Sequence, residues 1–143
     1  MSAVKLDARL AGDSFLLAEG PLSQLRLIDD ARFAWLVLVP RVPGAVELPD
    51  LPLDLQSMLM AEMNAAAQAL RSSVACEKLN LAALGNVVRQ LHVHLVARNS
   101  TDAAWPGPVW GFGQMERMWP AIRTQRSTAI RQQLAKDFWQ LEP

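Results

Sequence analysis

The sequence predicts an α+β domain in which helices pack against an antiparallel sheet. Three observations lead there: apolar residues recur at helical spacing over residues 55–74, a branched apolar run fills 35–39, and alternation covers 91–97. Placed in chain order, the segments read β-β-α-β-β-α. The chain has 143 residues, enough for one domain over 1–143 with its own core, and no internal repeat or linker divides it.

Residues 3–20 are ambiguous as a whole, but Phe15, Leu16, Leu17 and Ala18 suit a strand that ends at Glu19-Gly20-Pro21. Over 22–28, apolar Leu22, Leu25 and Leu27 sit among polar Ser23, Gln24 and Arg26, the imperfect alternation of a half-buried strand. Asp29-Asp30-Ala31-Arg32 suits a turn. Residues 35–39 then read as a buried central strand closed by Pro40, and the two strands form a hairpin. Four prolines make 40–52 a loop with an ordered path. A long helix follows from about 50 to 73, where Leu55, Met58, Leu59, Met63, Ala66 and Leu70 form one face. Asp50 is placed to cap it, and Asp54 puts negative charge at its start. Residues 78–84 and 91–97 are two further strands, separated by Gly85-Asn86. Residues 99–113 are a loop dense in Gly, Pro and Trp. A C-terminal helix is predicted over 127–141, with Ser127 as N-cap and Ile130, Leu134, Phe138 and Leu141 as its stripe.

Apolar residues make up 51% and charged residues 20%, the balance of a chain that folds around a core. A formal net charge of zero gives no basic excess for nucleic acid or an anionic membrane. Cys76 is the single cysteine, so no internal disulfide forms, which fits a reducing compartment. The first ten residues carry Lys5, Asp7 and Arg9 and do not read as a signal peptide. No run of about 18 apolar residues appears. The expectation is a cytoplasmic soluble protein.

The chemistry points to His92 and His94, the only histidines in the chain. Two residues apart on a strand, both imidazoles project the same way, while Leu91, Val93 and Leu95 take the other face. The imidazole face is therefore open or lines a site. One histidine on a strand is more often a hydrogen-bonded bystander; a pair on one face favours nucleophilic or acid–base work, or metal ligation. Zinc asks for a third protein ligand, which Cys76 or a distant acid would have to supply. Just upstream, Gly85 suits close approach of backbone amides to an anion, and Asn86 adds a side-chain donor. A Gly-Asn pair alone is a common turn; beside two histidines it becomes a candidate phosphate cradle.

At these residues the chain resembles the histidine triad (HIT) family of nucleotide hydrolases and transferases. The family hallmark alternates three histidines with apolar residues, and the stretch here is Gln90-Leu91-His92-Val93-His94-Leu95-Val96, with Gln90 in the first triad position. Arg98 stands four residues after His94, as an arginine commonly does in the family. Gly85-Asn86-Val87-Val88 resembles the stretch ahead of the triad, Asn80 the asparagine that opens it, and the run from Trp35 to Arg41 the early strand ending in Pro-Lys or Pro-Arg. The likeness covers about 20–110, leaving the helix of 127–141 as an extension. Residues 105–111, from Trp105 to Gly111, resemble a proteobacterial-type branch with Gln in the first triad position.

The resemblance implies a HIT-like antiparallel sheet with one long helix packed on it and a C-terminal helix. It implies attack by neutral His92 on a nucleotide α-phosphorus, giving a nucleotidyl-histidine, with the second ring nitrogen donating to a backbone carbonyl. His94 would hydrogen-bond the phosphate oxygens or the leaving group. Gln90 would keep a supporting hydrogen bond, and amides near Gly85, with Asn80 and Asn86, would stabilise charge on the phosphate. Water would release a nucleoside monophosphate, with no metal and no cofactor. Asp29, with Asp30 as its rival, is the candidate ribose acid; either would serve equally as a turn residue. Trp105 and Trp110 suit packing anchors, Trp105 being the one expected nearer the site. Arg98 is either an anion contact or a paired arginine. The implied partners are a nucleotide or nucleotide conjugate and a second copy of the chain. A nucleotide sensor or partner-binding module with little catalysis is the alternative, motivated by Gln90 and by Val87, where the family often has a serine donor.

Overall fold

The computed structural model describes residues 4–142. After a short helix α1 (Ala8–Gly12), strands β1 (Ser14–Glu19), β2 (Ser23–Ile28) and β3 (Ala34–Pro40) run as an antiparallel meander. Helix α2 (Leu53–Ser73) crosses to β4 (Lys78–Ala82) and β5 (Val93–Arg98); helix α3 (Pro120–Leu134) and the short β6 (Gln140–Leu141) complete the chain. The six strands form one sheet in the order β4-β5-β3-β2-β1-β6, and every pairing is antiparallel. The fold is α+β, as the sequence predicts.

The sheet is covered on both faces. On one, Leu25, Leu36, Leu38 and Leu95 pack with Leu59, Ala66 and Leu70 of α2 and Ile130 and Leu134 of α3. On the other, Phe33, Trp35, Val37, Val39 and Val96 meet Leu10, Val88 and Val109. This is why 35–39 is apolar without alternation: a central strand buried on both sides has no polar face to show. The tight turn from β1 to β2 is closed by Glu62 of α2, whose fully buried carboxylate accepts the amides of Leu22 at 2.7 Å and Ser23 at 3.1 Å. Gly20 is required beside it, because a Cβ there would lie 2.5 Å from Glu62 Oε1 and 2.6 Å from the Trp139 ring.

Two helix ends differ from the sequence reading. Asp50 does not cap α2. Its carboxylate accepts the amides of Val46 and Glu47, closing a 3-10 turn over Leu48–Asp50, and α2 starts only after Pro52, with Asp54 in its first turn. The predicted 127–141 helix is displaced to Pro120–Leu134. Pro120 opens it, as suits a residue with no amide to satisfy, and Ser127 is a buried mid-helix residue rather than its cap. The first turns of α3 are exposed and carry no apolar period, so the start was invisible to pattern. Beyond Leu134 the chain turns so that Trp139 enters the core, while Gln140 and Leu141 pair with Glu19 and Ala18 as an edge strand.

Candidate active site

His92 is the residue immediately before β5, and His94 is the second residue of that strand. Their rings lie 4.9 Å apart between centroids, at 73°. His92 Nδ1 is 2.7 Å from the carbonyl oxygen of Gln90. A carbonyl only accepts, so Nδ1 carries a proton, and in the neutral ring the lone pair is on Nε2. His94 is set the other way. The indole N–H of Trp35, a donor only, points at His94 Nδ1 at 2.9 Å. The Nδ1 lone pair is thus engaged, and Nε2 bears the proton. Register explains this contact: Val37 faces His94 and Trp35 faces Val96, so Trp35 is the diagonal neighbour of His94 on the same sheet face. Burial, and then the neighbouring His92, push His94 down to about 3, so it is neutral at physiological pH. The pair offers a base and a donor from two adjacent rings.

The imidazole face is roofed rather than open, with His92 at 7% and His94 at 8% exposure. The Trp110 ring lies 5.6 Å from His94 and 6.0 Å from Trp35, in edge contact with both. Its Nε1 is buried and has no partner among the described residues. Arg98 holds the loop that brings Trp110 there. Its guanidinium, 2% exposed on its side chain, meets Asp102 at 2.8 and 3.1 Å, Asn80 Oδ1 at 2.8 Å and the Gly107 carbonyl at 2.8 Å. Asp102 also accepts the amides of Asn99, Ala104 and Trp105, and the Arg98 contact holds its carboxyl down at about 2. Arg98 is therefore a paired arginine. Asp102 escaped the sequence reading, although its place four residues after Arg98 was a usable signal.

A family model described as the HIT domain matches residues 10–101, a span that holds both histidines. The chain belongs to the HIT domain family. A crystal structure of a histidine triad protein from Bradyrhizobium japonicum is 44% identical, covers 93% of this chain and 99% of that one, and superposes with a TM-score of 0.90. Another from Sinorhizobium meliloti is 41% identical over 90% of this chain and 96% of that one, TM-score 0.88. A third from Marinobacter aquaeolei is 35% identical over 94% and 98%, TM-score 0.90. None of the curated proteins compared with the chain matches it.

The remaining candidate residues of this HIT domain fall into two groups. Gln90, Gly85 and Asn86 lie on the segment that leads into His92. The Gln90 side chain turns away from the rings: its Oε1 accepts the amide of Asp7 at 2.8 Å and its Nε2 donates to the Lys5 carbonyl at 3.3 Å. Only its backbone carbonyl meets His92. Gly85 adopts φ +76°, the left-handed conformation that glycine takes without strain, and Asn86 is exposed beside it. Asn80, Asp29, Asp30 and Trp105 are held by other partners. Asn80 accepts from Arg98. Asp29 accepts the Met118 amide at 2.8 Å and contacts Arg117 at 3.3 Å, while Asp30 is gripped by Arg32 through both oxygens. Asp29 thereby fixes the segment leading into α3, while Asp30 holds Arg32 within its own turn. The Arg98 guanidinium lies over the ring of Trp105, 39% exposed, at 5.7 Å, so of the two loop tryptophans Trp110 is the one beside His94. Cys76 Sγ lies against the Lys78 carbonyl, and among the described residues no group of three or more His, Cys, Asp or Glu is placed to hold a metal ion.

Proposed function

We propose that this HIT domain acts at the α-phosphate of a nucleotide or nucleotide conjugate, as a phosphohydrolase or nucleotidyl transferase, through a nucleotidyl-histidine on His92. The observation that carries this is the 2.7 Å bond from His92 Nδ1 to the Gln90 carbonyl, which leaves Nε2 as an oriented nucleophile. Nε2 attacks the α-phosphorus, a P–N bond forms, and the bond to the leaving group breaks with its electrons going to that group. A phosphate-type leaving group departs as an anion and needs no proton, which suits a His94 that is neutral and donates only a hydrogen bond through Nε2. Nε2–H of His94 is a donor for phosphoryl oxygens, joined by amides near Gly85 and the Asn86 amide. Water then attacks phosphorus, the P–N bond breaks, a proton passes to solvent, and a nucleoside monophosphate leaves. A second copy of the chain pairs with the open edge of β4, and the protein works in the cytoplasm; among the described residues no helix is long and apolar enough to cross a membrane.

Replacement of His92 by Ala tests the reading. Turnover of dinucleoside polyphosphates and adenylylated conjugates falls by about 10³-fold or more, while nucleoside monophosphate binding and the melting temperature stay close to those of the parent. A folded H92A protein that hydrolyses at the parent rate defeats the proposal. One observation favours a second reading, a nucleotide sensor with little catalysis: the Gln90 side chain is spent on the N-terminal segment and gives the histidines nothing. Monophosphate binding by the parent without turnover on any such substrate selects it.

A further inference from the structure

Helix α3 turns a polar stripe toward β1. Arg123, Ser127 and Arg131 are spaced four apart, with Thr124 and Thr128 beside them, so they share one helical face. Between this face and residues 14–16 of β1 lies a cavity of about 450 Å³, which Arg26 of β2 also lines. β6 pairs only with Ala18 and Glu19, so the first half of β1 has a free outer edge, and the arginines converge on it. Arg131 donates to the Leu16 carbonyl at 3.1 Å and the Leu17 carbonyl at 3.3 Å. Arg123 stacks over the Phe15 ring at 4.1 Å. Arg26, only 9% exposed, reaches across to Ser14 Oγ at 2.7 Å and the Ser14 carbonyl at 3.1 Å.

Among the described residues no carboxylate bonds to these cations. The third partner of Arg26 is Gln24 Oε1 at 3.2 Å, so every acceptor on this buried guanidinium is neutral. Among the described residues none of the three arginines takes part in an ion pair. The acids at the two ends of β1 are engaged elsewhere, Asp13 with Arg117 at 3.0 Å and Glu19 with Arg41 at 2.5 Å. Burial lowers the Arg26 pKa, opposed by the charge of Glu19. Arg26 is the buried one of three guanidinia around a cavity with no carboxylate among its lining residues, and a guanidinium buried among neutral acceptors gains from an added anion.

We propose that the cavity between α3 and the outer edge of β1 binds the oxyanion of a phosphate group, held by Arg26, Arg123 and Arg131 and by the α3 hydroxyls. A phosphate offers at least three strong acceptor oxygens, which matches several guanidinium forks plus hydroxyl donors better than a carboxylate or a halide does. The site is separate from the histidine pair. Three strand spacings, roughly 14 Å, lie between β1 and β5, so a phosphate bound here is not the one at His92.

The test is an NMR titration of the full chain with inorganic phosphate and, separately, with glycerol phosphate. It is followed on the arginine Nε–H signals and on both histidine rings. The expected result is saturable movement of the Arg26 and Arg131 signals with a midpoint below about 10 mM. The ring signals stay still at the same ligand concentration. Tighter binding of the organic ester assigns the site to a phosphomonoester; tighter binding of the free ion assigns it to inorganic phosphate. Thr128→Glu places a carboxylate in the cavity to pair with the arginines, and Arg123→Ala removes an exposed one. Each weakens binding by about tenfold or more with the histidine rings unchanged. No saturable shift at Arg26, an equal response to acetate or chloride at matched ionic strength, or unaltered binding in a folded R123A protein overturns the proposal. None of these outcomes bears on turnover at His92.

Discussion

Trp35 donates its indole N–H to His94, and this bond decides the tautomer of the ring beside the proposed nucleophile. It also makes a prediction about stability. Burial, then His92, lower the His94 pKa from 6.5 to about 3. As pH falls, the unfolded chain takes up this proton first, so the contribution is fully present above 6.5 and is lost progressively toward 3. The loss is at most about 1.4 kcal/mol per pH unit, or roughly 2 kcal/mol from the ordinary histidine value down to about pH 5, where carboxylates begin to add their own terms. Denaturant unfolding of the parent and of a His94→Phe variant across this window checks it. The variant is less stable throughout, because the Trp35 N–H loses its acceptor, but its slope with pH is flatter by this amount. Parallel slopes would show that His94 titrates normally in the folded protein.

The first part of the loop between β5 and α3 is organised by the Arg98–Asp102 ion pair. Asp102→Ala leaves the Arg98 guanidinium, 2% exposed, without its carboxylate, and frees three backbone amides. A cost of about 3–5 kcal/mol follows. Thermal unfolding reads the cost, and Trp110 fluorescence reads the displaced loop; Arg98→Lys keeps the charge but loses the fork and falls between. This element also marks where sequence stops being legible. The hairpin of β2 and β3 and the body of α2 could be read because their apolar residues follow a period set by one buried face or a run set by two. The bond from His92 Nδ1 to a backbone carbonyl was expected from the resemblance to the family, not from spacing. The contacts of Trp35, Trp110 and Asp102 could not be read the same way. Each joins residues through strand register or loop path, and neither is written in spacing. Gln90 shows the same limit: its side chain stands two residues from His92, yet its partners are Lys5 and Asp7 at the far end of the chain. The start of α3 was lost for the opposite reason, since its first turns are helical without burying anything, and half of the arginine stripe went with them.

At the scale of the whole molecule the two edges of the sheet are managed differently. The β1 edge is covered by β6 and by Arg131, which takes two of its carbonyls. Among the described residues the β4 edge pairs only with β5 and has no strand on its other side in the sheet order. An uncovered edge strand is a template for another chain, and proteins that keep one exposed usually guard it with charge, proline or a bulge. Here Leu81 on the strand, with Leu84 and Val87 just after it, are 43%, 42% and 73% exposed. Beside the exposed Lys78 these form an apolar patch running from the strand into the following segment, where Gly85 and Asn86 lie on the way to His92. In the proposed dimer a second copy pairing there would bury the edge and brace the candidate phosphate loop at once. Sedimentation of the parent at micromolar concentration is expected to give a dimer. Leu81→Lys with Val87→Lys places like charges across a two-fold interface, where each residue meets its own symmetry mate or neighbour, and converts it to a monomer. If the loop is braced by the partner, the monomer also loses activity through weaker substrate binding, with KM rising more than kcat falls. A parent that sediments as a monomer removes the interface, and a lysine variant that stays dimeric moves it to another face.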